Sequence, residues 1–402
     1  MQKKRIFYLE LSTAGTIGGS FHSLYYLVRE LDKSRYEPVV GFYEHNELEE
    51  DFRRLGAEVR ILQPPKGFLG PRPFKGWLSP FNTLRRILNS GVNFLYSVFL
   101  PMFRHARWLK ANGIDLVHLN NHAFSGDWIL ACRLLRIPCV AHARGMRVKL
   151  DRFPIYIAKR LDQVFCISQA VYDSLVSCGC DSHNFLLLHN GIDPQSLTIQ
   201  RSAERIRQDL GIAPDQAVIG MVGNIKRWKG QKVLVEALPT IIANDPKLVC
   251  VFVGAVDKED QPYFGEMQEL IEQHGLSEYV IFAGYTRDVP DFINIMDIVV
   301  HASVEPEPFG RVIIEAMAMG KPVVASRDGG VPEIVDEPCC GRTFLPGSAK
   351  GLAAVLLELL SDPSRLDTIG KAGLRRVNSH FHIRTNAERT TKVYETLFLD
   401  RT

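Results

Sequence analysis

Apolar positions come in short runs separated by amphipathic stretches, and the two kinds of segment alternate through most of the chain. Residues 5–11 (RIFYLEL) read as a strand, 12–19 as a Gly-rich turn, and 20–31 as an amphipathic helix with Ser20 at its N-cap. Further strands are predicted over 39–43, 114–119, 138–143 and 163–167, the last followed by a helix that Ser168 caps and that ends near Gly179. The alternation restarts past the middle, with strands over 218–222, 248–253, 280–283, 298–302 and 322–325 and helices between them. Parallel strands need helical crossovers, so two such series predict an α/β chain of two doubly wound, Rossmann-like domains.

The turn cluster at 189–194 (HNGIDP), followed by the polar stretch 195–207, marks the boundary. The expected division is therefore 1–195, 196–375, and a C-terminal helical segment 376–402 with Tyr394, Leu397 and Phe398 on its apolar side. Two segments of the first half stand out. Residues 64–81, with five prolines and three glycines, read as a long loop beside the ligand face. Residues 84–110 form an aromatic, helix-like stretch flanked by Arg85, Arg86, Arg104, Arg107 and Lys110. That stretch is either a core helix with a solvated rim or a surface that rests on anionic lipid.

Composition narrows the class. A chain of 402 residues has room for two or three domains, and 46% hydrophobic with 23% charged residues excludes intrinsic disorder. With 22 Pro and 31 Gly it is neither collagenous nor of low complexity. No apolar run reaches the roughly 18 residues of a membrane span. Only six residues separate Arg5 from Ser12, one of them Glu10, which is too short and too polar for a secretory core. The expected location is the cytoplasm. The eight cysteines are scattered without repeated CxxC spacing and read as reduced, buried small hydrophobes rather than metal ligands.

Charge is unevenly placed. Residues 1–190 carry 25 Lys and Arg against 16 Asp and Glu, a balance of +9, while the remainder carries 23 against 29, a balance of −6. The first half either meets something anionic, such as the inner face of a membrane or a phosphorylated acceptor, or simply bears solvated charge. A net charge of +3 gives little support to nucleic-acid binding.

The strongest chemical signal is 305–325, EPEPFGRVIIEAMAMGKPVVA. Glu307 and Glu315 stand eight positions apart, with Pro308-Phe309-Gly310 between a strand end and a helix that starts near Arg311. Such a loop-to-helix junction, at the C-terminal edge of a parallel sheet, presents backbone N–H groups and a positive dipole end to a diphosphate. Glu315, one turn into the helix, is placed to accept hydrogen bonds from ribose hydroxyls, and Glu307 from the hydroxyls of a bound sugar. The segment 221–236 (MVGNIKRWKGQKVLVE) adds cations, with Arg227 and Lys229 between a strand and a helix, where they can neutralise a departing phosphate. A third loop, 327–333 (RDGGVPE), has two glycines that let backbone approach a ligand.

Together these segments resemble the family-4 retaining glycosyltransferases of GT-B fold, and the resemblance spans nearly the whole chain. It implies two Rossmann-like domains facing across a cleft, with a nucleotide-sugar donor held by the second, the acceptor by the first and transfer between them. The last helix is then expected to cross back to the first domain. The resemblance implies that Lys229 and a basic residue just past Gly223 hold the diphosphate. Asn224 stands where arginine is common, so Arg227 or Lys226 takes its place. Backbone at Phe309, Gly310, Arg311 and Val312 would hold phosphate, Glu315 the ribose and Glu307 the donor sugar. Tyr285, within Gly284-Tyr285-Thr286-Arg287-Asp288, matches the loop that contacts the base.

In the first half, Gly18-Gly19 resembles the family loop that nears phosphate and acceptor, or is an ordinary tight turn. The segment PCVAHARG at 138–145 resembles the strand with a family histidine near the reacting sugar. That position falls on Arg144, with His142 two residues earlier on the same strand face. Either His142 takes the role, or Arg144 supplies positive charge, or His142 is a packed strand histidine. His118, Asn120, Asn121 and His122 are further acceptor-side candidates. The implied catalytic group is thus Glu307, Lys229, Arg227, His142 and Arg144. The implied donor-binding group is Gly19, Gly223, Asn224, Tyr285, Phe309, Gly310, Arg311, Val312 and Glu315.

The implied reaction is metal-independent transfer of a hexosyl group to a hydroxyl with retention, the leaving phosphate oxygen serving as base, and no cofactor taking part. A lipid-linked or cell-surface glycan precursor is the leading acceptor, with peripheral membrane contact. The alternatives are a soluble small-molecule acceptor, or a nucleotide-sugar-binding protein without turnover. A dehydrogenase is disfavoured, because residues 15–19 lack GxGxxG.

Overall fold

The computed structural model describes residues 3–10, 18–65, 89–121 and 123–400. The expected turn at 12–19 therefore falls largely outside the described residues, as do most of the loop at 64–81, the start of the 84–110 stretch, and His122. The chain clusters into two compact units: Met1–Ile167 with Val171–Leu188 and Ala387–Thr402, and Ser168–Ala170 with His189–Asn386.

The first unit is built on seven parallel strands in the order β3-β2-β1-β4-β5-β6-β7. These are β1 (Lys4–Glu10), β2 (Tyr36–Phe42), β3 (Glu58–Ile61), β4 (Leu116–Leu119), β5 (Cys139–Ala143), β6 (Gln163–Cys166) and β7 (Phe185–Leu187). The central strand explains why the apolar runs are continuous rather than alternating. Ile6, Phe7, Tyr8 and Leu9 are all fully buried, since helices cover both faces of a parallel sheet. Gly41 is required beside them, because a Cβ there would lie 2.6 Å from the Phe7 ring. The order reverses between β1 and β4, which is where such sheets open a crevice at their carboxyl ends.

The first helix, Gly19–Glu30, starts after Gly18 rather than after Ser20, and no side chain caps it. Helix Ile383–Leu399 is divided between the units at Asn386 and Ala387. Tyr394 of its second part is fully buried in the first unit's core beside Tyr8, Tyr36 and Phe165.

The aromatic stretch is helical, with a π turn at Leu95–Phe99 leading into helix Leu100–Ala111. Its inner face buries His105, Ala106 and Leu109. Phe94, Leu95, Tyr96, Phe99, Leu100 and Phe103 are instead exposed, so this part is not a core helix. No described helix is long and apolar enough to cross a membrane. Six cysteines are buried as expected, while Cys178 is half-buried and Cys339 exposed; all eight are free thiols.

The second unit carries six parallel strands in the order β10-β9-β8-β11-β12-β13. They are β8 (Val218–Val222), β9 (Val249–Val253), β10 (Val280–Gly284), β11 (Ile298–His301), β12 (Val323–Ser326) and β13 (Arg342–Phe344). Its core joins Met221, Phe252, Ile298 and Val300 to Leu234, Leu238 and Ile241 of helix Gln231–Ile242. The order reverses between β8 and β11, and the loops after these two strands carry the cations and carboxylates singled out above. The turn at 189–194 is pinned within this unit. Ile192 N–H donates to Phe381 O at 2.8 Å, and a Cβ on Gly191 would lie 2.6 Å from Ile383 Cα.

Candidate active site

Beyond β11 the chain runs through Ser303 to Glu307, then Pro308-Phe309-Gly310, and enters helix Arg311–Ala318. Gly310 adopts φ +99°, which a side chain would strain, and the first turn that follows has neither a side-chain cap nor an acidic residue. The loop is held from below by Gly329-Gly330. Gly330 N–H donates to Glu307 O at 2.8 Å, and a Cβ on Gly329 would come within 2.1 Å of that oxygen. This is the close approach that the paired glycines serve. Phe309 is buried with its ring near those of His189 and Phe381.

On the β8 side, Gly223 at φ +138° ends the strand and a short 3-10 turn, Arg227–Lys229, precedes Gly230. Gly230 (φ +72°) is irreplaceable on two grounds, since a Cβ would also lie 2.0 Å from Ala302 O. Val304 N–H donates to Trp228 O at 2.9 Å, tying the cationic turn to the carboxylate loop.

The result is a buried cluster centred on one oxygen. Glu307 Oε2 receives Lys229 Nζ at 2.7 Å, His301 Nε2 at 3.1 Å and the Ser303 hydroxyl at 3.2 Å. Burial alone would push the Glu307 pKa up. The His301 hydrogen bond and the Lys229 charge outweigh it and hold the carboxyl at about 2. The ammonium of Lys229 also lies 4.0 Å over the Trp228 ring. His301 Nδ1 is buried without a partner among the described residues.

The other candidates are disposed as follows. Arg227 forms a two-pronged pair with Glu266, at 2.6 and 3.1 Å, and lies over Tyr263. Lys226 pairs with Asp257 and Asp260. Of these three cations only Lys229 has its charge on Glu307 among the described residues. Asn224 is half-buried, and its carbonyl accepts from Gln231. Glu315 is half-buried and accepts from Arg311 at 2.9 Å. Val312, also half-buried, lies in the first turn of the same helix, and Tyr285 is exposed just past Gly284 (φ +73°).

In the first unit, Gly19 opens its helix and Ser23 donates to its carbonyl. His142 is buried, with Nδ1 2.7 Å from His118 Nε2, and His118 in turn bonds Tyr394. Burial first, and the charge of Arg144 second, push His118 down to about 3 and His142 well below its usual value, so both rings are neutral near pH 7. Arg144 is half-buried and lines a cavity of about 90 Å³ with Asn121, Phe124, Gly145 and Arg147.

Several polar residues here were not singled out by the sequence. His301 and Ser303 orient Glu307. Glu333, whose carboxylate takes His189 Nε2 at 2.9 Å and the N–H groups of Gln169 and Ala170, fixes the loop after Gly329-Gly330. Glu10 is fully buried and accepts from Asn120 and Asn121. A carboxylate at the end of the central strand was the available signal for Glu10; the partners of the others are distant in sequence.

Two family descriptions together match most of the chain: "Glycosyltransferase Family 4" over residues 17–196 and "Glycosyl transferases group 1" over 202–376. Among curated relatives, spore coat protein SA of Bacillus subtilis is 32% identical over 202 residues, covering 49% of this chain and 53% of that protein. The lipopolysaccharide core biosynthesis mannosyltransferase LpsB of Rhizobium meliloti is 26% identical over 244 residues, covering 60% and 68%. The chain thus spans about half the length of the first relative and about two thirds of the second. Among solved structures, Anabaena HepE in complex with UDP and glucose superposes with a TM-score of 0.78 at 24% identity, covering 97% of this chain and 99% of that one. At that identity the likeness speaks for the fold, which is GT-B. The chain belongs to the family-4, group 1 glycosyltransferases.

Proposed function

We propose that this chain is a retaining hexosyltransferase, taking a sugar from a nucleotide-sugar donor and passing it to a hydroxyl of a lipid-linked or cell-surface glycan precursor. The observation that carries the donor half is the Lys229–Glu307 pair, 2.7 Å apart at the carboxyl end of the second sheet. The donor diphosphate lies along Gly223 and the backbone of Phe309–Val312, with Lys229 neutralising charge as the glycosidic C–O bond breaks. That ammonium takes the place of a divalent cation. Glu315 takes the ribose hydroxyls, Tyr285 stacks on the base, and Glu307 accepts from hydroxyls of the sugar.

Glu307 is a poor candidate for a base. A carboxyl held at about 2 is ionised at every working pH and has little affinity for a proton. The acceptor proton passes instead to the leaving phosphate oxygen as the acceptor attacks the same face of the sugar, which accounts for retention. Arg144, which borders a cavity, takes the family histidine position, whereas the ring of His142 is buried against His118. Arg227 and Lys226 are engaged by carboxylates and serve to shape the turn.

For the acceptor, support comes from the exposed apolar residues Phe94 to Phe103 next to the exposed cations Arg104, Arg107 and Lys110, a combination suited to an anionic lipid surface. The likeness to LpsB, a lipopolysaccharide core biosynthesis mannosyltransferase, favours the same reading. The test is incubation with nucleotide sugars and bacterial lipid extracts in the presence of EDTA, followed by the anomeric coupling of any product in proton NMR. A product with the donor's configuration supports the reading. Inversion, or donor binding with no transfer to any acceptor, overturns it.

A further inference from the structure

We propose that Glu333 and His189 are positioning residues that couple occupation of the donor loop to the points at which the chain passes between its two units. The proposal rests on the donor reading above, and it adds how a seated donor acts on the rest of the chain.

The chain passes between the units at four places, after Ile167, Ala170, Leu188 and Asn386. On the second unit's side of these crossings stand Ser168, Gln169, Ala170, His189 and Asn386, and all five are bonded into one cluster of that unit. Gln169 N–H donates to Glu333 Oε2 at 2.8 Å and Ala170 N–H to Glu333 Oε1 at 3.2 Å. His189 Nε2 lies 2.9 Å from Glu333 Oε2, and the Asn386 side-chain amide donates to His189 O at 2.6 Å. The Ser168 hydroxyl donates to Pro308 O at 2.6 Å, between Glu307 and Phe309 of the donor loop. Ile383 N–H donates to Ile192 O at 3.0 Å, which joins the linker to the start of the last helix.

Glu333 is the centre of this cluster, and the donor loop is its neighbour. Its carboxylate sits at the start of helix Gln169–Ser177, where an anion suits the first N–H groups. Burial would push its pKa up, but the His189 bond and the two backbone N–H groups outweigh it and hold the carboxyl below its usual range. Just upstream, Gly330 N–H donates to Glu307 O at 2.8 Å. A Cβ on Gly330 would lie 2.7 Å from Pro308 O and 3.1 Å from Ser168 Cβ, so donor loop and crossing close on it together. The His189 ring lies 5.9 Å from that of Phe309. Two routes thus run from Glu307 to the crossings, one through Gly330 and Glu333 and one through Pro308 and Ser168. Such a network carries coupling only if a ligand favours one of two arrangements of it. Lys229 supplies that difference: its ammonium rests on Glu307 at 2.7 Å, and a diphosphate that draws it away changes what holds the Glu307 loop.

The test is amide hydrogen exchange of the whole chain with and without UDP, GDP, ADP or dTDP, on wild type, Glu333→Gln, His189→Ala and His189→Gln. The readout is the change that nucleotide causes, because a merely structural loss of a bond alters exchange in both states alike. In wild type, at least one nucleotide should slow exchange over 223–230 and 307–312, and also over 189–192 and 383–386, which the donor does not touch in this reading. In Glu333→Gln and His189→Ala the donor loops should stay protected, while the added protection at 189–192 and 383–386 falls about threefold or more. His189→Gln, which keeps a side-chain N–H for Glu333, should restore part of it. Protection confined to the donor loops in wild type overturns the proposal, and so does equal protection of the crossings in wild type and variants. Loss of donor-loop protection in the variants also overturns it, since Glu333 and His189 would then serve only to hold that loop. If no nucleotide protects any segment, the donor reading fails and this coupling with it, an outcome distinct from protection of the donor loops alone.

Discussion

Lys229 Nζ and Glu307 Oε2 lie 2.7 Å apart although 78 positions separate them in the chain, and both are drawn from loops at the carboxyl end of one sheet. The contact exists because Gly230 and Gly329 allow the two loops to approach neighbouring backbone at distances no side chain would permit. The carboxylate held this way stays ionised, and the pair remains open to exchange partners with a diphosphate and a sugar.

The first prediction concerns acid stability. The folded pKa of Glu307 is depressed from 4.5 to about 2, so its contribution is full above pH 4.5 and is lost as pH falls toward 2. The contribution at pH 7 is on the order of 3 kcal/mol. Between pH 7 and pH 3, wild type should lose roughly 2 kcal/mol more stability than Glu307→Gln, as read by urea unfolding at several pH values. Parallel pH dependence in the two proteins contradicts the cluster.

His301 is expected to act on the reaction through Glu307. His301→Ala removes the largest of the interactions that lower the carboxyl's pKa and leaves the carboxylate with Lys229 and Ser303. The Glu307 pKa should rise, measurable by carbon NMR of labelled glutamate, and kcat should fall about tenfold or more. An unmoved pKa would assign His301 to packing alone.

Glycine substitutions separate backbone strain from close approach. Gly211 has φ +71° with open space around its Cβ position, so Gly211→Ala should cost about 1 kcal/mol. Gly230 has nearly the same φ, but its Cβ would lie 2.0 Å from Ala302 O. Gly230→Ala should therefore destabilise by several kcal/mol, roughly 2 or more beyond the control, and abolish donor binding in whatever fraction folds. Equal thermal shifts for the two variants would contradict the approach of the two loops.

The exposed aromatic face should bind anionic vesicles. Phe94, Tyr96 and Phe103 are exposed, so changing all three to serine should leave stability nearly unchanged while reducing sedimentation with phosphatidylglycerol vesicles several-fold. High salt should weaken wild-type binding as well, since Arg104, Arg107 and Lys110 contribute. Equal sedimentation of variant and wild type removes the lipid role from this face.

Much of this architecture was legible in the sequence because parallel strands buried on both faces leave continuous apolar runs, as in β1, β9 and β11. The missed strands are those that the rule does not reach. Strand β3 (EVRI) is a half-exposed edge, and β7 and β13 are three residues each, the latter reading Arg-Thr-Phe. Glu307 and Glu315 were legible because their spacing lies within one loop and one helical turn. The engagement of Arg227 by Glu266 and of Lys226 by Asp257 and Asp260 was not, since those carboxylates come from a different crossover. The aromatic stretch was legible only as two alternatives. Its composition suits a core helix as well as a surface one, and only the folded arrangement shows Phe94, Leu95, Tyr96, Phe99, Leu100 and Phe103 exposed.

The most direct test of the central claim is calorimetric titration with UDP-, GDP-, ADP- and dTDP-sugars on wild type, Glu307→Ala and Lys229→Ala. The account predicts that at least one donor binds the wild-type chain and that each substitution weakens it by about tenfold or more. A donor that binds all three proteins equally would show that the Lys229–Glu307 pair does not hold the nucleotide sugar, and would contradict the account.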